Sequence, residues 1–329
     1  MASRRAVDGT AIGFHASHEQ LPPSALLDAV QQAESAGFAA AMCSDHFAPW
    51  SAQQGESGHA WVWLGAALQA TRFPIGVVTA PVQRYHPAVI AQAIASLAEM
   101  YPGRFWAALG SGENLNEHIT GDPWPPKSER DARLLECAHV MSELLAGAVV
   151  TRRGAVCVDR ARLWTRPDAP PPLLGAAVGP TTAARVASWA DGLITVNQAM
   201  ADLRETVDAF RDNGGGGKPV AIQVHVSWAP TEEEALQTAF EQWRPALVRP
   251  PRAWELALPE EFEVETLDAN AADIGECVNV SADIGRHVAW IEELIDELHP
   301  ATIYLHHVGQ EQGRFIRTFA DEVLPRCAP

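Results

Sequence analysis

Eight short apolar runs alternate with longer amphipathic segments along this 329-residue chain, and that alternation limits the fold more than any other feature. The runs fall at residues 12–16, 39–43, 75–78, 105–109, 173–177, 193–196, 220–227 and 303–306. Each is short enough for a buried strand and is bounded by polar or turn residues. Between them, residues 24–35, 87–100, 129–146 and 181–189 read as helices. Strand then helix, repeated, predicts a parallel sheet covered by helices. The count fits an α/β chain closed as a (β/α)8 TIM barrel, one domain over residues 1–329. An open dinucleotide-binding sheet would place G-x-G-x-x-G after its first strand. Here that strand runs into ASHEQLPPS, which has no glycine. Between the last two runs, residues 231–298 exceed a simple crossover and predict a helical insertion.

Charge narrows the partners. Lys and Arg total 24 against 41 Asp and Glu, a net charge of −17. Nucleic acid or an anionic membrane would need a basic footprint, so the expected partner is a small molecule. No apolar run approaches the roughly 18 residues of a membrane span. The N-terminus has arginines but no apolar segment after them, so no signal peptide is expected. The cysteines, Cys43, Cys137, Cys157, Cys277 and Cys327, are far apart and odd in number. They suit a reducing cytoplasm rather than a disulfide framework or a zinc site.

In a (β/α)8 barrel the active site forms where the strands end. His15, His18 and Glu19 follow the first candidate strand, and Asp45, His46 and Trp50 the second. Arg84 and His86 follow the third, and GSGENLNE, with Glu113 and Asn116, the fourth. VGPTT follows the fifth, Asn197 and Gln198 the sixth; His225 ends the seventh and His306–His307 the eighth. Single histidines at strand ends are commonly structural, and His15, His225 and His307 are read so. His306 and His307 are adjacent on a strand and point to opposite faces, so they cannot share a metal. No ligand cluster is evident, and no metal is expected. GPTT is either a phosphate anchor at a helix start or an ordinary cap with Pro180 at the first helical position. Asp45, His46 and Glu113, converging on one mouth, make the case for catalysis.

GFHASHEQ, SDHFAPW, RYHPAVIAQA, YPGRF, GSGENLNE and GPTTAARVASWADGLI resemble, in order, the blocks of the luciferase-like flavin oxidoreductase superfamily. Within it they are most similar to the branch around the coenzyme F420-dependent glucose-6-phosphate dehydrogenases. ASHEQ, WLGAAL and ITGDPWPPK further resemble a neighbouring subfamily of flavinoid oxidoreductases that do not use F420. The resemblance covers about residues 11–326.

It implies a homodimeric barrel with FMN or coenzyme F420 across its mouth. The nearer subfamily favours FMN, while the catalytic residues favour deazaflavin-like hydride chemistry. It also implies a non-proline cis peptide at Val77–Val78 against the ring. By the same resemblance Asp45 contacts the ring, and Asn116, Ala176, Ala177, Val178 and Gly179 bind the cofactor; Thr181 joins them as the GPTT helix start. His46 and Trp50 stand at the substrate carbon, with His46 as proton acceptor. Glu113 is the acid at the ring edge, and Glu19 and Asn197 are substrate-side. The chain departs from the sugar-phosphate enzymes at their basic residues, whose places fall near Asn197 or Gln198 and near Glu276 or Cys277. Arg249 and Arg252 are the nearby replacements. The expected reaction is therefore hydride transfer with an alcohol, carbonyl or enone, and not with glucose 6-phosphate. An FMN-dependent monooxygenase and a non-catalytic flavin-binding barrel are the alternatives.

Overall fold

The computed structural model describes residues 9–327. Eight parallel strands close into a barrel: β1 (Ala11–Ala16), β2 (Ala40–Ser44), β3 (Ile75–Thr79), β4 (Phe105–Leu109), then, after a hairpin of β5 (Val150–Arg153) and β6 (Cys157–Ala161), β7 (Leu173–Ala176), β8 (Gly192–Val196) and β9 (Val220–Ser227), and, after the short β10 (Asn279–Val280), β11 (Thr302–His307). Closure comes from β11 pairing with β1 in the register Ile303↔Ile12, while β8 pairs with β9. All eight expected strands are present, shifted at most one residue at an end.

Alternation along each strand divides the core. Ile12, Phe14, Val77, Leu109, Ile222 and Leu305 face the helices. Ala40, Met42, Ala108, Leu174, Ile194 and Tyr304 face inward, with Val78 and Trp106 against them. Trp106 and Tyr304 plug the lower barrel, ring centroids 5.8 Å apart. Their bulk explains two strand glycines. A Cβ on Gly76 would stand 1.9 Å from Trp106, and one on Gly13 2.5 Å from Tyr304. The bottom is thus packed solid, and open space is left only toward the strand C-termini.

The helices are α1 (Pro23–Ser35), α2 (Ala60–Ala70), α3 (Pro87–Met100), α4 (Asn114–Glu117), α5 (Lys127–Leu145), α6 (Pro180–Val186), α7 (Met200–Phe210), α8 (Glu232–Trp243), α9 (Pro259–Glu265), α10 (Ile284–Leu298), α11 (Gln312–Glu322) and α12 (Leu324–Cys327). Helix α3 starts cleanly: Pro87 takes the first position and the His86 side chain accepts from Ala88 N–H. Helix α2 escapes a reading of periodicity because AWVWLGAALQA is apolar nearly all round, with no polar face to mark its turns. The β5–β6 hairpin is equally unmarked in the sequence. The insertion is shorter than expected. Helices α8 and α9, with 3₁₀ turns between them and before β10, form it; α10 buries Val288, Ile291, Leu294 and Leu298 and is the crossover that feeds β11.

Among the described residues no helix is long and apolar enough to cross a membrane. The one cis peptide among them is Pro250–Pro251. Val77–Val78 is therefore trans, which corrects the expected cis bond. Both residues lie inside β3 and pair in unbroken register with Ala107 and Ala108 of β4, and an ordinary ladder needs ordinary extended backbone.

Candidate active site

The strand C-termini and the insertion enclose a cavity of about 1020 Å³. His46 stands at the end of β2. Its Nδ1 lies 3.1 Å from Glu19 Oε1 and its Nε2 4.0 Å from Glu113 Oε2. Three side chains from three loops thus form a line, carboxyl–imidazole–carboxyl. The two carboxyls are tuned oppositely. At Glu19 burial favours the neutral acid, but His46, the Ser17 hydroxyl, His15 and the Ser44 hydroxyl outweigh it and draw the pKa down to about 2. Ser17 and Ser44 donate to its two oxygens at 2.6 and 2.8 Å. At Glu113 burial prevails over His46 and raises the carboxyl above its usual range. An ionised carboxylate therefore lies behind the imidazole, and a carboxyl held toward its acid form lies in front.

Asp45 is a strut more than a free contact. Its Oδ2 accepts from Thr79 Oγ1 at 2.8 Å and Trp61 Nε1 at 3.0 Å, and its Oδ1 from Tyr85 at 3.2 Å. Arg84 donates to its carbonyl at 2.8 Å and stands 3.7 Å from Glu117. Those donors fix the β2 end from which His46 projects. Asn116 accepts from Phe47 N–H at 2.8 Å and donates to Glu113 Oε2 at 3.4 Å, tying the His46 loop to the Glu113 loop. Trp50 packs edge-on against His46, centroids 5.3 Å apart, and against Phe262 of the insertion. Asn197 accepts from His225 N–H and donates to the Cys277 carbonyl, joining β8, β9 and the insertion.

Ala176, Ala177, Val178 and Gly179 line the cavity at the β7–α6 turn. Two expected residues do not. Thr181 is exposed on the first turn of α6, and Thr182, one position on, faces the cavity instead. Val77 points to the helix layer because β3 alternates, so only Val78 reaches the interior. Two expected structural histidines, His15 and His225, line the cavity as well. His307 does not, and stacks on Phe315 outside the barrel at 4.7 Å. Polar residues at every second position mark Gln223 and His225 in VAIQVHVS and His306 in TIYLHH, whereas His15 is a lone polar residue in AIGFHA and carries no such signal. Arg130 carries none either. It is 2% exposed, lines the cavity and pairs with Glu255 through Nη2 at 3.3 Å, but its Nε and Nη1 have no partner among the described residues. Unmet buried donors cost about 1–3 kcal/mol each, more when charged, which marks a place for an anion.

A phosphate-bearing ring cofactor fits these residues. The β7–α6 turn presents small side chains, and a Cβ on Gly179 would meet nothing within 4 Å. The first-turn amides of α6 have no intrahelical partner. Lys127 donates to Ser111 at 3.2 Å and pairs with Asp131, and Arg130, on the same helix, also lines the cavity. A closed barrel with an acid–base line and an anion cradle at one mouth defines the class: a barrel oxidoreductase that works on a bound cofactor.

The family model for luciferase-like monooxygenases matches residues 7–293. The chain is 35% identical over 95% of its length to an F420-dependent glucose-6-phosphate dehydrogenase of Microbacterium testaceum, covering 96% of that protein. It is 34% identical to one of Nakamurella multipartita, covering 95% of each. An F420-dependent secondary alcohol dehydrogenase, solved in complex with an F420–acetone adduct, superposes with a TM-score of 0.90 at 30% identity, over 98% of this chain and all of that one. The chain belongs to the luciferase-like monooxygenase family, and it is an enzyme of the oxidoreductase branch that these relatives represent. The expected preference for FMN over F420 finds no support among them.

Proposed function

We propose that this enzyme transfers a hydride between coenzyme F420 and an uncharged secondary alcohol or ketone. The observation that carries this reading is the Glu19–His46–Glu113 line, with its oppositely tuned carboxyls. Ala176 to Gly179, the α6 amides, Lys127 and Arg130 would hold the cofactor's phosphate and acidic tail. When bound, F420 supplies a hydride acceptor or donor.

The ionised Glu19 carboxylate 3.1 Å from Nδ1 favours the His46 tautomer with its proton on that nitrogen, which leaves the Nε2 lone pair for the cavity. In the oxidising direction Nε2 would take the substrate's hydroxyl proton. Glu19 would then balance the imidazolium, as a buried carboxylate does behind a catalytic histidine. Glu113, held toward its acid form, would give or take the second proton on the cavity side, and Trp50 closes the wall. In the reducing direction each transfer reverses.

The substrate is read as neutral because two of the arginines lining the cavity are already paired: Arg84 stands 3.5 Å from Asp45, and Arg249 2.6 Å from Glu276. With Arg130 given to the cofactor, a phosphate dianion on the substrate would meet only paired cations, which disfavours glucose 6-phosphate. We include the homodimer in this proposal; light scattering showing a single chain would remove it. The test is to titrate the purified protein separately with F420 and FMN, then add secondary alcohols without oxygen. Bleaching of bound F420 by an alcohol is the expected result. Binding of FMN alone, with oxygen consumption, would replace this reading with a monooxygenase.

A further inference from the structure

The cavity floor holds a second group of polar side chains that hydride transfer does not use. They come from β1, β9 and β11, at inward-facing positions: His15, Gln223, His225 and His306. Their hydrogen-bond directions follow from one backbone acceptor. The Val308 carbonyl accepts from Gln20 Nε2, which turns Gln20 Oε1 toward His306 Nε2 at 2.7 Å. His306 therefore carries its proton on Nε2, and its Nδ1 accepts from Gln223 Nε2 at 3.2 Å. The other Gln223 N–H reaches His225 Nε2, also at 3.2 Å, and the Cys277 carbonyl holds His225 from outside.

The exception is His15. It stacks on His306 with centroids 4.2 Å apart, is 2% exposed, and has no partner on either ring nitrogen among the described residues. A buried imidazole that faces a cavity with both ring nitrogens open, beside three floor side chains that are hydrogen-bonded, is an empty hydrogen-bonding place. Burial holds it neutral by lowering its pKa to about 3, against the pull of Glu19. It thus offers one N–H donor and one lone pair, and no charge. It is no metal centre: among the described residues no group of three His, Cys, Asp or Glu is placed to hold an ion.

We propose that His15 binds a second uncharged oxygen of the substrate, a hydroxyl or carbonyl apart from the one His46 acts on. The substrate class is then a neutral diol or hydroxyketone rather than a simple alcohol. This rests on the hydride-transfer reading for which oxygen reacts, but not for the binding itself. An anion is disfavoured at this end, because ionised Glu19 is close and the floor carries no cation.

The test uses the F420-loaded enzyme with trans-1,2-cyclohexanediol and cyclohexanol as matched probes. The wild type should favour the diol about tenfold in kcat/KM, the worth of one neutral hydrogen bond. His15→Leu should erase that preference, read as the ratio of the two kcat/KM values and carried by the KM for the diol; His15→Asn, which keeps a polar group and serves if the leucine variant does not fold, should retain part of it. Calorimetric binding of both probes gives a second readout without turnover. A diol preference in binding that vanishes in His15→Leu supports the subsite even where neither probe is oxidised, an outcome that fails the hydride reading alone. No diol preference in either readout, an equal loss for both probes, or weakened F420 binding in His15→Leu would overturn it.

Discussion

The two sides of the cavity use overlapping residue types to opposite ends. On the β1–β2–β4 side, imidazole and carboxyl alternate, and charge is retained: Glu19 is held at about 2 and pairs with His46. On the β1–β9–β11 side, imidazole and amide alternate and charge is removed. Burial brings His15 to about 3 and His225 to about 4, and pushes His306 well below its ordinary value. The difference on the floor arises from burial, which outweighs the pull of Glu19 on both His15 and His225. One side thus sets a charged carboxylate 3.1 Å behind an imidazole, and the other offers only neutral donors and acceptors.

The largest test of that contrast is His46→Ala. Turnover should fall by about 10²–10⁴-fold, the range of a lost general base, with F420 affinity little changed in a fluorescence titration. Near-normal turnover would remove the charged side from the chemistry. Glu19→Gln comes next. It keeps the size, turns one accepting oxygen into a donor and loses the charge behind His46, and kcat should drop by roughly 10–100-fold with KM nearly constant. A KM effect alone would instead make Glu19 a substrate contact, its expected role by resemblance.

Acid should separate the two sides by order of failure. A buried neutral histidine takes up its proton more readily in the unfolded chain, so its stabilising contribution is complete above about pH 6.5 and is lost toward its folded value. For His15 and His225 that window runs down to about 3 and about 4; His18 and His307, also at about 4, add to it. Glu19 has the depressed pKa of a stabilised carboxylate. Its contribution is complete above the ordinary carboxylate value near 4.5 and is lost as pH falls to about 2. The urea midpoint should decline from about pH 6.5, and a His15→Leu/His225→Gln double variant should decline less steeply. Parallel curves would show that the floor histidines are not buried neutral. The smallest effect is expected at Arg249, whose guanidinium is half exposed and paired with Glu276. Arg249→Ala should change KM for a neutral alcohol by less than about twofold. A large rise would mean that this arginine holds the substrate, and hence that the substrate is anionic.

Much of the charged side is legible in the sequence, because its residues stand close to strand ends. SDHFAPW places His46 and Trp50 just past β2, and GSGENLNE places Glu113 and Asn116 just past β4. What those residues do for one another is less legible. Asp45, expected at the ring, lines the cavity and also braces the β2 end through Thr79 and Trp61, and Asn116 joins two loops. Such roles depend on partners such as Trp61, on a helix that periodicity does not mark. Arg130 is hidden for a similar reason: on α5 it reads as one charge among many, and only packing shows two of its nitrogens orphaned at the cavity.

Local pattern was enough for the eight-stranded barrel, because apolar runs of strand length separated by helices have few other ways to bury both faces of a parallel sheet. It was also enough to put His46 and Glu113 at the catalytic end. The floor followed from long-range closure alone. His15 and His306 lie at opposite ends of the chain and become stacked neighbours because barrel closure pairs β11 with β1. Whether a histidine there is charged, satisfied or left open depends on those non-local partners and on the loss of water around it, and neither is written next to it in the chain.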